Sequence, residues 1–239
     1  MRYLVSILIL LLAAYQAFAP TRRALLLNRA APTAFTPQSI AGMAYFWNYS
    51  DLSAGVVTTW TDEIQSANWN TAVGSVGPTN GASGVYFLGT LGALTPQMTN
   101  APGFTIASNF TFWIVFKDDN SSSSGYKTLM TVGSSLGFWL QNPGGGKQMS
   151  FYFSAANHYY SSVLNNNEYY DTVWSNGNGY TNGVSYGTTT IKTDATTFNT
   201  IGRDAAGDYF GGYVKFIGIW TNSITGSDAA NLAIWSAAH

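Results

Sequence analysis

The sequence predicts an all-β domain, a two-sheet antiparallel sandwich, behind an N-terminal hydrophobic helix. Three observations predict it. Apolar and aromatic residues alternate at a period of two, as in Phe104 to Phe116, where Phe110, Phe112, Ile114 and Phe116 fall on one face. Gly, Asn, Pro and Ser clusters punctuate such segments; among them Asn182-Gly183 favours a two-residue hairpin, because both residues tolerate positive φ. No long helical periodicity occurs outside the leader.

The elements follow in order. Tyr3 to Ala19 is an apolar run of 17 residues after Met1-Arg2. It fits a signal-peptide hydrophobic region, with Ala17-Phe18-Ala19 as a small-x-small site, and it reaches the lower length limit of a membrane anchor. Arg22, Arg23 and Arg29 follow it, a poor balance for a simple anchor with its N-terminus inside. Ala30 to Pro37 is a linker. The chain therefore divides into 1–19 (signal peptide or anchor), 20–40 (linker or leader remainder) and 41–239 (sandwich). Strands are expected at Lys127 to Val132, Gly137 to Leu140, Gln148 to Phe153, Tyr169 to Trp174, and in a hairpin from Tyr180 to Tyr186. A short strand ends at Ile201-Gly202-Arg203, and Tyr209 to Tyr213 opens a long apolar strand to Trp220. A short helix, Ala229 to Trp235, closes the chain, with Asp228 behind Ser227 as its N-cap. Phe110, Phe112, Ile114, Phe116, Phe138, Val214 and Trp220 are the expected core.

Composition narrows the class. Charged residues make up 9% of the 239, against about 25% in an average soluble domain. The polar surface must come from Asn, Ser, Thr, Gly and Tyr, as in secreted β proteins and in viral coat or fibre proteins. A net charge of -1 leaves no electrostatic footprint for nucleic acid. Without cysteine there is no disulfide framework and no thiolate metal site.

Two segments carry a family resemblance. Phe35-Thr36-Pro37-Gln38-Ser39-Ile40-Ala41-Gly42, with Trp47, Asp51-Leu52-Ser53 and Trp60-Thr61-Asp62, is similar to the opening of laminin-G-like domains of the concanavalin A-like lectin/glucanase superfamily. Ile201-Gly202-Arg203, Tyr209-Phe210-Gly211-Gly212-Tyr213 and the following helix resemble their closing segment. The resemblance covers Phe35 to Trp235 and implies a concanavalin A-like jelly roll. It implies no single function, because that fold serves lectins, hydrolases, adhesins and structural modules. Separately, Ala17-Phe18-Ala19-Pro20 and the acid-free stretch after it resemble the bipartite plastid-targeting leaders of algae with secondary plastids. A secretory route, ending outside the cell or tethered to a membrane through residues 3–19, is the default; a plastid or a virion is the alternative.

Hydrolases of the resembled fold carry an E-x-D-x-x-E strand whose carboxylates share a cleft. None of the eleven acids forms that motif, and Glu168 and Asp171 stand three apart, on opposite faces of a strand. The two histidines, His158 and His239, support no nucleophile triad. The chain is thus expected not to be an enzyme, and no cofactor is required. The resemblance allows calcium, for which Asp118, Asp119, Asp204 and Asp208 supply hard oxygens on turns; the same residues also serve as ordinary turn caps. Sugar recognition needs flat ring faces and planar amides. Tyr159, Tyr160, Asn165, Asn166, Asn167, Tyr169, Tyr170 and Trp69 offer both. Two classes of function remain: a secreted or tethered non-catalytic module that binds glycan, or a structural subunit that packs against other proteins.

Overall fold

The computed structural model describes residues 35–89, 96–119, 126–132, 136–141, 148–152, 157–159, 164–188, 195–203 and 207–239. The leader helix expected at Tyr3–Ala19, together with Tyr160 and Asp204, lies outside them. No helix among the described residues is long and apolar enough to cross a membrane.

In chain order the strands are β1 (Met43–Asn48), β2 (Gly55–Val56), β3 (Thr59–Thr61), β4 (Asn68–Thr71), β5 (Thr79–Gly81), β6 (Gly84–Phe87), β7 (Met98–Ile106), β8 (Thr111–Asp118), β9 (Tyr126–Val132), β10 (Leu136–Gln141), β11 (Gln148–Tyr152), β12 (Asn157–Tyr159), β13 (Tyr169–Ser175), β14 (Asn178–Thr181), β15 (Val184–Thr188), β16 (Thr196–Ile201) and β17 (Gly212–Trp220). Helix α1 (Gly226–Ala238) follows. One antiparallel sheet runs β15-β14-β13-β8-β17-β6-β5-β2, with β1 beside the C-terminal half of β17. The other runs β12-β11-β10-β9-β16-β7-β4-β3. The two sheets form a sandwich.

The core between them is aromatic. Phe112, Ile114 and Phe116 enter it from β8, and Phe104, Phe138, Leu140, Met149 and Phe198 from the facing sheet. Phe112 stacks on Phe138 at 3.7 Å between ring centroids, and Phe110 meets Phe198 edge-on at 5.7 Å. Full burial of each such ring stabilises by about 1.5–3 kcal/mol. All seven residues expected in the core are buried.

Three local readings needed correction. The stretch Phe104 to Phe116 is two strands, β7 and β8, in different sheets; Asn109 at φ 66° turns the chain between them. Strand β8 is buried on both faces, because Trp113 and Val115 lie in a second cluster beneath α1, with Phe46, Val173, Phe216 and Leu232. The helix also starts earlier than expected. Thr225 is its N-cap, its Oγ1 accepts from the backbone N–H of Asp228, and the Asp228 carboxylate accepts from the Thr225 N–H at 2.9 Å. Asp228 thus stands at the third helical position of a capping box. Thr225→Ala is expected to cost about 1 kcal/mol while Thr225→Ser costs far less, read as shifts in the thermal midpoint.

Helix α1 is seated on the predicted hairpin. Asn182 (φ 50°) and Gly183 (φ 74°) form the turn between β14 and β15. A Cβ on Gly183 would lie 2.8 Å from Ala230 Cα, so the glycine permits both the turn and the approach of the helix. Asp171, on the outer face of β13, is fully buried under the helix. It accepts from Trp113 Nε1 at 2.8 Å and from Ser236 Oγ at 2.9 Å.

Candidate functional site

Antiparallel strands place directly opposed residues on one face. Lys117 opposes Tyr169 on β13 and Tyr213 on β17, and Tyr213 opposes Tyr86 on β6. Tyr169, Lys117, Tyr213 and Tyr86 therefore form one transverse row across four strands of the nine-stranded sheet. Phe116 and Asp118 point into the sandwich, so Lys117 and its row point out. Helix α1 covers Trp113 and Val115 on this face, whereas Lys117 and its three tyrosine neighbours are half-exposed.

The row is held by specific contacts. Lys117 Nζ lies 5.0 Å from the Tyr169 ring centroid and 4.3 Å from that of Tyr213. Tyr86 and Tyr213 meet at 4.8 Å between centroids. Lys215, at the irregularity between Val214 and Phe216 in the β8–β17 register, brings its Nζ to 4.9 Å from Tyr169 and 5.5 Å from Tyr49. Such cation–ring geometry is favourable by about 0.5–1 kcal/mol at exposed sites. Tyr49 Oη donates to a backbone oxygen of His239 at 3.1 Å, and Tyr169 Oη donates to the Ser83 carbonyl. Partial burial, and then the charge of Lys117, hold the Lys215 ammonium below its ordinary value. Burial pushes the Tyr169 hydroxyl up to about 12.

The exposed turn Asn165–Asn167 adjoins this row. Asn167 adopts φ 62°, and its N–H donates to the Asp118 carbonyl at 2.8 Å, one residue from Lys117. The turn is thus tied to the end of β8, and its three asparagines are exposed. Sequence reasoning missed Lys117, Tyr213, Tyr86, Lys215 and Tyr49 around the row.

Two of the expected sugar contacts belong elsewhere. Trp69 is fully buried on the inner face of β4, with Trp47 and Phe104 at 5.7 and 5.2 Å, while its neighbours Asn68 and Asn70 point outward. Tyr170 is also buried; its hydroxyl accepts from the Asn165 N–H at 2.7 Å and donates to Glu168 at 3.1 Å, fixing the Asn turn from within. Tyr159 lies on β12, opposite Ser150.

Apart from Glu63 and Asp51, which meet side by side, the carboxylates described are held at separate places. Asp118 points into the sandwich, where both its oxygens accept from Lys127 Nζ at 2.9 Å. That ion pair gives Asp118 a partner inside the sandwich, away from the turn on which it was expected to offer a calcium ligand. The backbone N–H of Asp119 donates to the Gly211 carbonyl at 3.2 Å, and Asp208 is half-buried. Among the described residues no group of three His, Cys, Asp or Glu could hold a metal ion. Asp62, buried beside β3, accepts from the backbone N–H groups of Phe46, Ile64, Gln65 and Ala67, a structural use of its charge. Glu63 is pushed up to about 7 by burial and then by the adjacent Asp51, with Gln38 donating to it at 2.9 Å.

No protein-family model and no curated protein matches the chain. Solved structures do. A sialidase of Trypanosoma rangeli, in complex with sialic acid, is similar at a TM-score of 0.60 and 15% identity, over 95% of this chain and 39% of that one. Domain 4 of AbnA, an extracellular GH43 arabinanase from Geobacillus stearothermophilus in complex with arabinotriose, is similar at a TM-score of 0.53 and 14% identity, over 80% of this chain and 98% of that one. This chain thus spans about two fifths of the sialidase and matches nearly the whole arabinanase domain. At these identities the likeness establishes the fold, a β-sandwich found in carbohydrate-active proteins.

Proposed function

We propose that this chain is a non-catalytic carbohydrate-binding module, built on a concanavalin A-like, laminin-G-like jelly roll and directed to the secretory pathway. The observation that carries this reading is the half-exposed ring row Tyr169, Tyr213 and Tyr86, flanked by the exposed amides of Asn165 to Asn167. Tyrosine faces stack on the C–H patches of sugar rings, and side-chain amides pair with hydroxyls. The arabinanase domain supports the reading, since a sandwich of this size holds an oligosaccharide there. Three of the acids have structural roles that fit a non-catalytic module. Asp118 is ion-paired inside the sandwich, Asp171 is buried beneath α1, and Asp62 is taken up by backbone N–H groups.

Screening the purified protein on an oligosaccharide array, displayed at high valency because single sugar contacts are weak, tests it. Tyr213→Ala is expected to weaken the best-bound glycan at least tenfold with little change in thermal midpoint. Retention of full affinity by Tyr213→Ala together with Tyr169→Phe/Tyr86→Ala would remove the row from the function.

A further inference from the structure

We infer that the ligand of the Tyr169–Lys117–Tyr213–Tyr86 row is an anionic saccharide, one that carries carboxylate or sulfate groups. The inference rests on the carbohydrate reading of that surface and specifies its substrate class. Two lysines of a chain with few charges converge here. Both ammonium groups lie about 5 Å from one ring, Tyr169 (5.0 and 4.9 Å). Among the described residues neither Lys117 nor Lys215 has a carboxylate within 4 Å; the ion pair present there joins Asp118 to Lys127, inside the sandwich. The Asp118 side chain cannot neutralise the row, because strand alternation sends it to the opposite face from Lys117.

A platform for neutral sugars needs ring faces and amides. Two ammonium groups at one ring add nothing to such stacking and repel each other; burial first, and then the charge of Lys117, lower the proton affinity of Lys215. An anion between or beside them removes the repulsion. Each ammonium carries three N–H donors, and a ring quadrupole satisfies the cation without consuming those donors as an acceptor would. The rings therefore position the two charges while leaving donors for a carboxylate or sulfate oxygen. Lys117 lies between Tyr169 and Tyr213, and Tyr86 continues the row beyond them, so the anionic group would sit beside Lys117 and Lys215, between Tyr169 and Tyr213, and the next sugar along the row would reach Tyr86.

The test compares three oligosaccharides of matched length, one neutral, one with uronate carboxylates and one sulfated, with polyglutamate as a polyanion that is not a sugar. Affinities are measured by calorimetry at 50 and 500 mM NaCl for the wild type, for Lys117→Met/Lys215→Met and for Tyr213→Ala. The expected result is binding of at least one anionic sugar tenfold or more tighter than the neutral one. That advantage should shrink in high salt and vanish in the double lysine variant; the identity of the preferred arm separates carboxylate from sulfate. Equal affinity for neutral and anionic sugars, with Tyr213→Ala still weakening both, would overturn the anionic specificity and leave the carbohydrate reading standing. Binding of polyglutamate as tight as that of the anionic sugars, lost with the lysines and indifferent to Tyr213, would reduce the site to charge alone and overturn it as a saccharide site. Binding of no saccharide at all overturns both readings.

Discussion

Asp171→Asn is expected to stabilise the protein at neutral pH by about 4 kcal/mol and to flatten its stability between about pH 4 and 7. Asp171 is fully buried beneath α1, and desolvation pushes its carboxyl from 3.8 up to about 7, against the opposing hydrogen bonds from Trp113 and Ser236. No charged partner contributes, and one carboxyl oxygen has no hydrogen-bond partner. The folded state therefore prefers the neutral acid, whereas the unfolded state ionises near pH 4. Stability is complete below the unfolded value, falls as the pH rises from about 4 toward 7, and levels off once the folded protein also ionises. Each unit of separation corresponds to about 1.4 kcal/mol, which gives the expected 4 kcal/mol. Asn reproduces the shape of the neutral acid and keeps an acceptor for Trp113 and Ser236. Urea unfolding at pH 4, 5.5 and 7.5 measures both proteins; a flat wild-type profile, or a variant less stable than wild type at pH 7.5, contradicts the burial argument.

The same residue shows how far the sequence could be read. Period-two spacing identified Phe112, Ile114 and Phe116 as core, and Asn182-Gly183 as a hairpin turn, because both signals are local. It did not reveal that Trp113 and Val115 are buried too. That depends on α1 folding back over the outer face of β8 from more than a hundred residues away, and Asp171 is buried by the same event. Trp69 was misplaced for a related reason. Flanking asparagines made it look like a surface ring, yet alternation on β4 sends the asparagines out and the tryptophan in. The candidate site was legible only at its edge, in Tyr169 and the Asn165–Asn167 turn. Tyr86, Lys117 and Tyr213 are far apart in the chain and meet through strand register, which no single segment encodes. Lys215 and Tyr49 join them through a strand irregularity and a loop.

Lys127→Met is expected to cost about 3–5 kcal/mol, while Asp118→Asn/Lys127→Met costs much less or nothing. Lys127 on β9 and Asp118 on β8 point inward from opposite sheets and meet at 2.9 Å, with side-chain exposures of 7% and 3%. The pair closes one end of the sandwich. Removing one member of a buried pair strands the other's charge in a low-dielectric site, whereas removing both exchanges an ion pair for neutral packing. The single variant should therefore lower the urea midpoint sharply, with partial recovery in the double variant. The experiment also separates the two uses considered for Asp118. An ion-paired Asp118 predicts that added calcium chloride leaves the wild-type midpoint unchanged. A calcium-dependent rise in that midpoint, abolished by Asp118→Asn, would instead make the carboxylate a metal ligand. Single-variant costs below about 1 kcal/mol would mean that the pair is solvated, in the range of surface ion pairs.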